Sequence, residues 1–226
     1  MTNLYSPLEI VAEGFQELLP EMVFVGGASV ILHMNSTSAQ IPRPTEDVDC
    51  VVEITSRLMF EELQSNLRAK GFLHDFRQGA PICRWIYQNV TVDVMPTNSE
   101  LLGFTNSWYE DGVRNKARHI LPNGREIYTF SLPYFLATKL EAFSSRGDAD
   151  LRFDSDLEDI LLVLDGNKDP VSVINEAGTN VREFLRGSFA DLLESSLFHE
   201  LIEGTVAQEG KSRVTRLKEI IKNISL

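Results

Sequence analysis

The 226-residue sequence predicts an α+β fold, with a mixed β-sheet core flanked by helices in residues 1–131 and a helical C-terminal region, residues 132–226, packed on that core. Three observations predict it. Short β-rich runs recur between Met22 and Tyr128, two dipeptides among them carry hairpin signals, and after Ser131 the apolar residues return at helical spacing until the chain ends.

The elements follow in order. Leu8, Val11, Ala12, Phe15, Leu18 and Leu19 mark a first helix, with Pro7 as an early helical residue and Pro20 as its stop. Met22 to Val25 reads as a strand ended by Gly26-Gly27, and a helix follows from Ala28 to about Met34. Asn35 to Pro44 is polar, holds two prolines and reads as a loop. Asp47 to Ile54 is a strand. Ser56 to Lys70 is a helix with Ser56 as its cap and Gly71 as its stop. Pro81–Tyr87 and Val90–Met95 are strands joined by Gln88-Asn89, a two-residue loop that favours positive φ. Asn123-Gly124 signals a second hairpin, between His119–Leu121 and Glu126–Tyr128. Helices are expected at 132–143, 156–164, and roughly 171–186, 188–203 and 211–224.

Composition excludes several classes. The formal net charge of −12 argues against whole-surface attraction to nucleic acid, although a local basic patch can still bind a polyanion. No apolar run reaches the roughly 18–20 residues of a membrane helix, and Met1 to Pro7 lacks signal-peptide features. Cys50 and Cys83 are too few for a disulfide framework or a four-ligand zinc site, so the cytoplasm is the expected compartment. Charge is uneven. Residues 1–53 carry eight acids, among them Glu46, against Arg43; residues 211–226 carry five bases against Glu219. That fits a cation-binding site near one end, and equally a set of solvated helix faces.

Three features carry chemistry. Gly26-Gly27-Ala28-Ser29 lies between a strand and a helix, where backbone can approach an anion; a tight turn explains it as well. Asp47 and Asp49 share one face of their strand, about 6.6–7 Å apart, opposite Val48, Cys50 and Val52. A divalent cation would relieve the repulsion of two such carboxylates, and hard oxygen ligands suit magnesium; solvation at a strand start would relieve it too. Asp93 and Thr91 face away from the alternating Val90, Val92 and Val94. If that strand pairs beside Asp47–Asp49, three carboxylates converge, enough for two magnesium ions roughly 4 Å apart.

Gly-Gly, then Asp-x-Asp on a strand, then a separate Asp on a later strand resembles the DNA polymerase β-like nucleotidyltransferase superfamily. Gly26-Gly27-Ala28 followed by Arg43-x-Thr45-x-Asp47-x-Asp49 looks like its AbiEii/MenT-type toxin nucleotidyltransferases. Their later motif, a Lys after an apolar stretch, then Arg-Gly, then spaced acids, is matched by Lys139, Arg146-Gly147 and Asp156-Leu157-Glu158-Asp159. The resemblance covers roughly residues 22–165. Ser155-Asp156 stands where the toxins usually have Lys-Asp, which leaves open whether Asp156 or Asp159 matches the family acid.

The resemblance implies a nucleotidyltransferase-type core and a Mg2+-dependent transfer, with Mn2+ as the alternative ion, from a nucleoside triphosphate to an acceptor hydroxyl. It implies metal ligands Asp47, Asp49 and Asp93, with Asp93 as the base. It implies a nucleotide site from Gly26, Gly27, Ser29, Arg43, Thr45, Lys139 and Asp156, with Lys139 neutralising the leaving pyrophosphate. For toxin-like members it implies a tRNA 3′ end as acceptor and an antitoxin protein as partner. Small-molecule or protein acceptors, or a catalytically weak nucleotide- or partner-binding module, are the alternatives. On the residues alone, Ser155-x-x-Glu158 is a capping box and its acids suit a first helical turn. Arg114, Lys116 and Arg118, if extended, form a basic stripe for a triphosphate tail or RNA backbone, or an exposed edge strand.

Overall fold

The computed structural model describes residues 4–35, 40–45, 47–103, 105–146, 151, 154–206 and 210–226; Glu46 and Gly147 lie outside them. The chain is α+β and forms two compact units, residues 1–29 with 43–131, and residues 30–42 with 132–226.

In the first unit α1 (Ser6–Phe15) is followed by a 3₁₀ segment, Gln16–Glu21. The periodic apolar run splits there because Gln16 takes φ 52°, outside the helical region. Next come β1 (Val23–Val25), β2 (Asp47–Val52), α2 (Arg57–Ala69), β3 (Leu73–His74), β4 (Arg84–Tyr87) and β5 (Val90–Pro96). α3 (Ser99–Leu102), α4 (Tyr109–Arg114), β6 (Lys116–Ile120) and β7 (Glu126–Phe130) complete it. The strands form one mixed sheet of seven, in the order β3-β4-β5-β2-β1-β7-β6. β2 runs antiparallel to β1 and parallel to β5, and β1 runs parallel to β7.

Alternation decides which face of the sheet does what. Val48, Cys50 and Val52 of β2 and Val90, Val92 and Val94 of β5 are buried on one face. α1 packs on that side, turning Leu8, Val11, Ala12 and Phe15 inward. Phe15 stacks on Phe72 at 5.1 Å and meets Phe24 edge-on at 6.1 Å. Each such side chain contributes about 1.5–3 kcal/mol by leaving water. α2 buries Phe60, Leu63 and Leu67 at helical spacing, and its cap Ser56 accepts the Met59 N–H at 3.3 Å. The opposite face carries the carboxylates; near Met95 and Phe130 it is covered by Tyr109 of α4.

The second unit holds α5 (Leu132–Ser145), α6 (Ser155–Gly166), α7 (Pro170–Asn175), α8 (Thr179–Leu193), α9 (Ser196–Val206) and α10 (Lys211–Ile224). Residues 30–42 belong with these helices for specific reasons. The His33 ring lies 4.4 Å from that of Phe135, the Asn167 side chain donates to the His33 carbonyl, and the Asn35 N–H donates to the Gly166 carbonyl. α10 packs against α6, α7, α8 and α9. Among the described residues no helix is long and apolar enough to cross a membrane.

Candidate functional site

Asp47 opens β2 and Asp49 follows two residues on, so the strand period puts both on the face opposite Val48 and Cys50. The parallel pairing of β2 with β5 sets Asp47 opposite Thr91 and Asp49 opposite Asp93. The third carboxylate therefore stands one strand spacing, about 4.8 Å at the backbone, from the second. Asp47 is exposed, and Asp49 and Asp93 are half-buried. Cys50 records their field: burial first, then the charges of Asp49 and Asp93, push its thiol well above the usual range.

Gly26 lies against this face because β1 places Val25 opposite Asp49. Its φ is 66°, and a Cβ there would fall on Asp49 Oδ2, so glycine is required both by conformation and by contact. Gly27 opens a 3₁₀ helix, Gly27–His33, in place of the expected Ala28–Met34 helix. The Ser29 hydroxyl is buried and donates to the Gly26 carbonyl at 2.9 Å, as does its N–H at 3.2 Å, so Ser29 braces the turn from within. Thr45 Oγ1 accepts the Asp47 N–H at 3.3 Å and shapes the entry to β2, while Arg43 lies exposed on the same lead-in.

A residue that sequence reasoning passed over completes the face. In the β4–β5 hairpin Arg84 is paired opposite Asp93. Its Nε donates to Oδ1 at 2.8 Å and its Nη2 to Oδ2 at 2.7 Å, a two-pronged ion pair. These hydrogen bonds above all raise the Arg84 pKa; burial opposes them, and the charges of Asp93 and Asp47 add to the rise. Among the described residues no group of three or more His, Cys, Asp or Glu side chains is set to hold a metal ion. Arg84 supplies a physical reason, since it engages both oxygens of Asp93. The donor chemistry still suits a hard divalent ion at Asp47 and Asp49, whereas at Asp93 a guanidinium already stands as the cation.

Lys139 and Asp156 meet within the second unit. Lys139 on α5 is 8 % exposed, and its Nζ donates to Asp156 Oδ1 and Asp159 Oδ2, each at 2.7 Å. Both acids left open by the motif thus touch the lysine, one turn apart on α6. Arg146 bridges Asp154 and Asp156. The cap of α6 is Asp154 rather than Ser155. Its Oδ1 accepts the N–H groups of Asp156 and Leu157, at 2.9 and 3.1 Å, and Ser155 becomes the first helical residue. A carboxylate answered by two N–H groups and by Arg146 outcompetes a hydroxyl for the cap. Asp154→Ala is expected to cost about 1–2 kcal/mol, read from the urea midpoint, with Asp154→Asn restoring most of it because Asn also caps.

Both basic regions make contacts within the chain. Arg114 ends α4 instead of continuing a strand, so the 114–118 stripe does not form. Arg114 pairs with Glu110 and Asp111, Arg118 with Glu126, and Lys116 donates to the Pro20 carbonyl. In the tail, Arg213 and Arg216 bind Asp165, buried near the end of α6, and Arg216 also donates to the carbonyls of Asp165 and Asn167. Neither a protein-family model nor a curated protein sequence matches the chain.

Proposed function

We propose that the chain is a divalent-metal-dependent nucleotidyltransferase of the DNA polymerase β-like kind, similar to the AbiEii/MenT toxins. One observation carries the reading. Asp49 and Asp93 are paired residues of β2 and β5, Asp47 shares their face, and Gly26 lies against Asp49. Asp47 and Asp49 would hold Mg2+ or Mn2+, which when bound offsets the charge of a nucleoside triphosphate. Gly26, Gly27, Ser29, Arg43 and Thr45 would shape the triphosphate side, and Asp93 with Arg84 the acceptor side. The acceptor oxygen would attack the α-phosphorus, the bond to the β-phosphate would break, pyrophosphate would leave, and the hydroxyl proton would pass to Asp93 or water. The resemblance assigns Lys139 to the pyrophosphate; its bonds to Asp156 and Asp159 make that a matter for substitution. Such an enzyme would act in the cytoplasm on a tRNA or another hydroxyl acceptor, with an antitoxin protein as its restraint.

The test is label transfer from each of four α-phosphate-labelled nucleotides, with Mg2+ or Mn2+. Acceptors are total RNA, small aminoglycosides and the protein itself. Label is expected in one acceptor class, RNA on the toxin reading. The second reading, a nucleotide-binding module without turnover, is favoured by Arg84's hold on both oxygens of Asp93. Nucleotide binding with no label transfer under either ion would establish that module instead.

A further inference from the structure

The Arg84–Asp93 pair is built into the fold. The two-residue turn at Gln88-Asn89, with φ 47° and 65°, fixes the hairpin register, and that register puts Arg84 opposite Asp93. The guanidinium fork takes both carboxylate oxygens, the atoms a divalent ion would use. The Asp93 side chain is 13 % exposed and that of Arg84 30 %, so the pair is largely shielded yet still meets solvent. Arginine keeps its charge at any working pH, so this cation cannot be lost by titration.

We propose that Arg84 is the second cation of this face: it occupies Asp93 in place of an acceptor-side metal, and the chain takes a single divalent ion, on Asp47 and Asp49. This rests on the nucleotidyltransferase reading and names its metal requirement. An ion entering at Asp93 must break two charge-assisted hydrogen bonds and leave a half-shielded guanidinium without its partner. That lowers its affinity by roughly two orders of magnitude. Substituted by methionine, position 84 gives the carboxylate back.

The experiment is a Mn2+ titration of the full chain, following free Mn2+ by electron paramagnetic resonance. The Asp49→Asn/Asp93→Asn variant supplies the background of ions on other acids. Above it, wild type is expected to saturate at one ion per chain and Arg84→Met at two. Arg84→Lys, which keeps the charge without the fork, should remain at one. Two ions on wild type, or one ion on a folded Arg84→Met, would overturn the inference and leave the nucleotidyltransferase reading standing. No ion above background on wild type overturns that reading and the inference with it. Should Arg84→Met not fold, as judged by circular dichroism, the wild-type count and Arg84→Lys decide.

Discussion

Lys139→Met is expected to destabilise the chain by about 3–5 kcal/mol, measured by urea unfolding at neutral pH, because it removes the ammonium that two buried carboxylates share, while Asp156 keeps its ion pair with Arg146. The side chains of Asp156 and Asp159 are 11 % and 2 % exposed, and each accepts from Lys139 at 2.7 Å. Burial alone would push Lys139 down. The charges of Asp159 and then Asp156, with their hydrogen bonds, outweigh it and raise the ammonium above its ordinary 10.5. Burial likewise pushes Asp156 up, and Lys139, with Arg146 behind it, more than reverses this and holds it below 3.8. The signs fix the pH window. A raised lysine contributes stability that is complete below its ordinary value and is lost as pH rises through the folded one. A lowered aspartate contributes stability that is present above its ordinary value and is lost as pH falls through the folded one. Wild type should therefore keep this contribution between about pH 4 and 10 and lose it on both sides. The methionine variant should lose the alkaline limb. A variant as stable as wild type that has lost only label transfer would show that Lys139 serves a triphosphate rather than its own unit.

Much of the geometry was legible where short-range rules apply. The Gln88-Asn89 turn was legible, and with it the register that sets Arg84 against Asp93: counting back from a two-residue loop pairs Tyr87 with Val90, and so 84 with 93. Arg84 was missed because that count was not extended to its charge. The pairing of Asp49 with Asp93 was not legible. It joins strands some forty residues apart in parallel, and no local pattern encodes which long-range neighbours meet. Helix breaks in the second unit were misplaced for a related reason. A break was expected at Gly187, but Gly187 lies inside α8, where a side chain would meet nothing within 4 Å. The break lies instead at residues 194–195, between α8 and α9, and Gly178 is the N-cap of α8. Gly178 takes φ −55°, which other residues adopt as readily, so neither glycine sets a boundary through its conformational freedom. The basic tail read equally as part of a charge asymmetry or as a solvated helix face, and two of its arginines instead hold Asp165 and the carbonyls at the end of α6. The buried Asp165 that anchors them gave no signal.

Asp49→Asn is expected to lower label transfer by at least about a thousandfold while leaving the thermal midpoint within about 1 °C, because the amide keeps the volume and loses the charge. Gly26→Ala separates charge from shape at the same point. The carboxylate stays, but the new methyl group falls on Asp49 Oδ2 and sits on a backbone of positive φ. The backbone strain costs about 1–2 kcal/mol, and displacing Asp49 adds to it. This variant should therefore lose both stability and transfer. If the carboxylate face were only a solvated strand start, the asparagine would cost nothing in any assay and the alanine would cost stability alone. If the face binds a divalent ion, both variants lose Mn2+ binding, and only the alanine unfolds earlier. Thermal melts and Mn2+ titrations on the two proteins decide between these outcomes even before an acceptor is known.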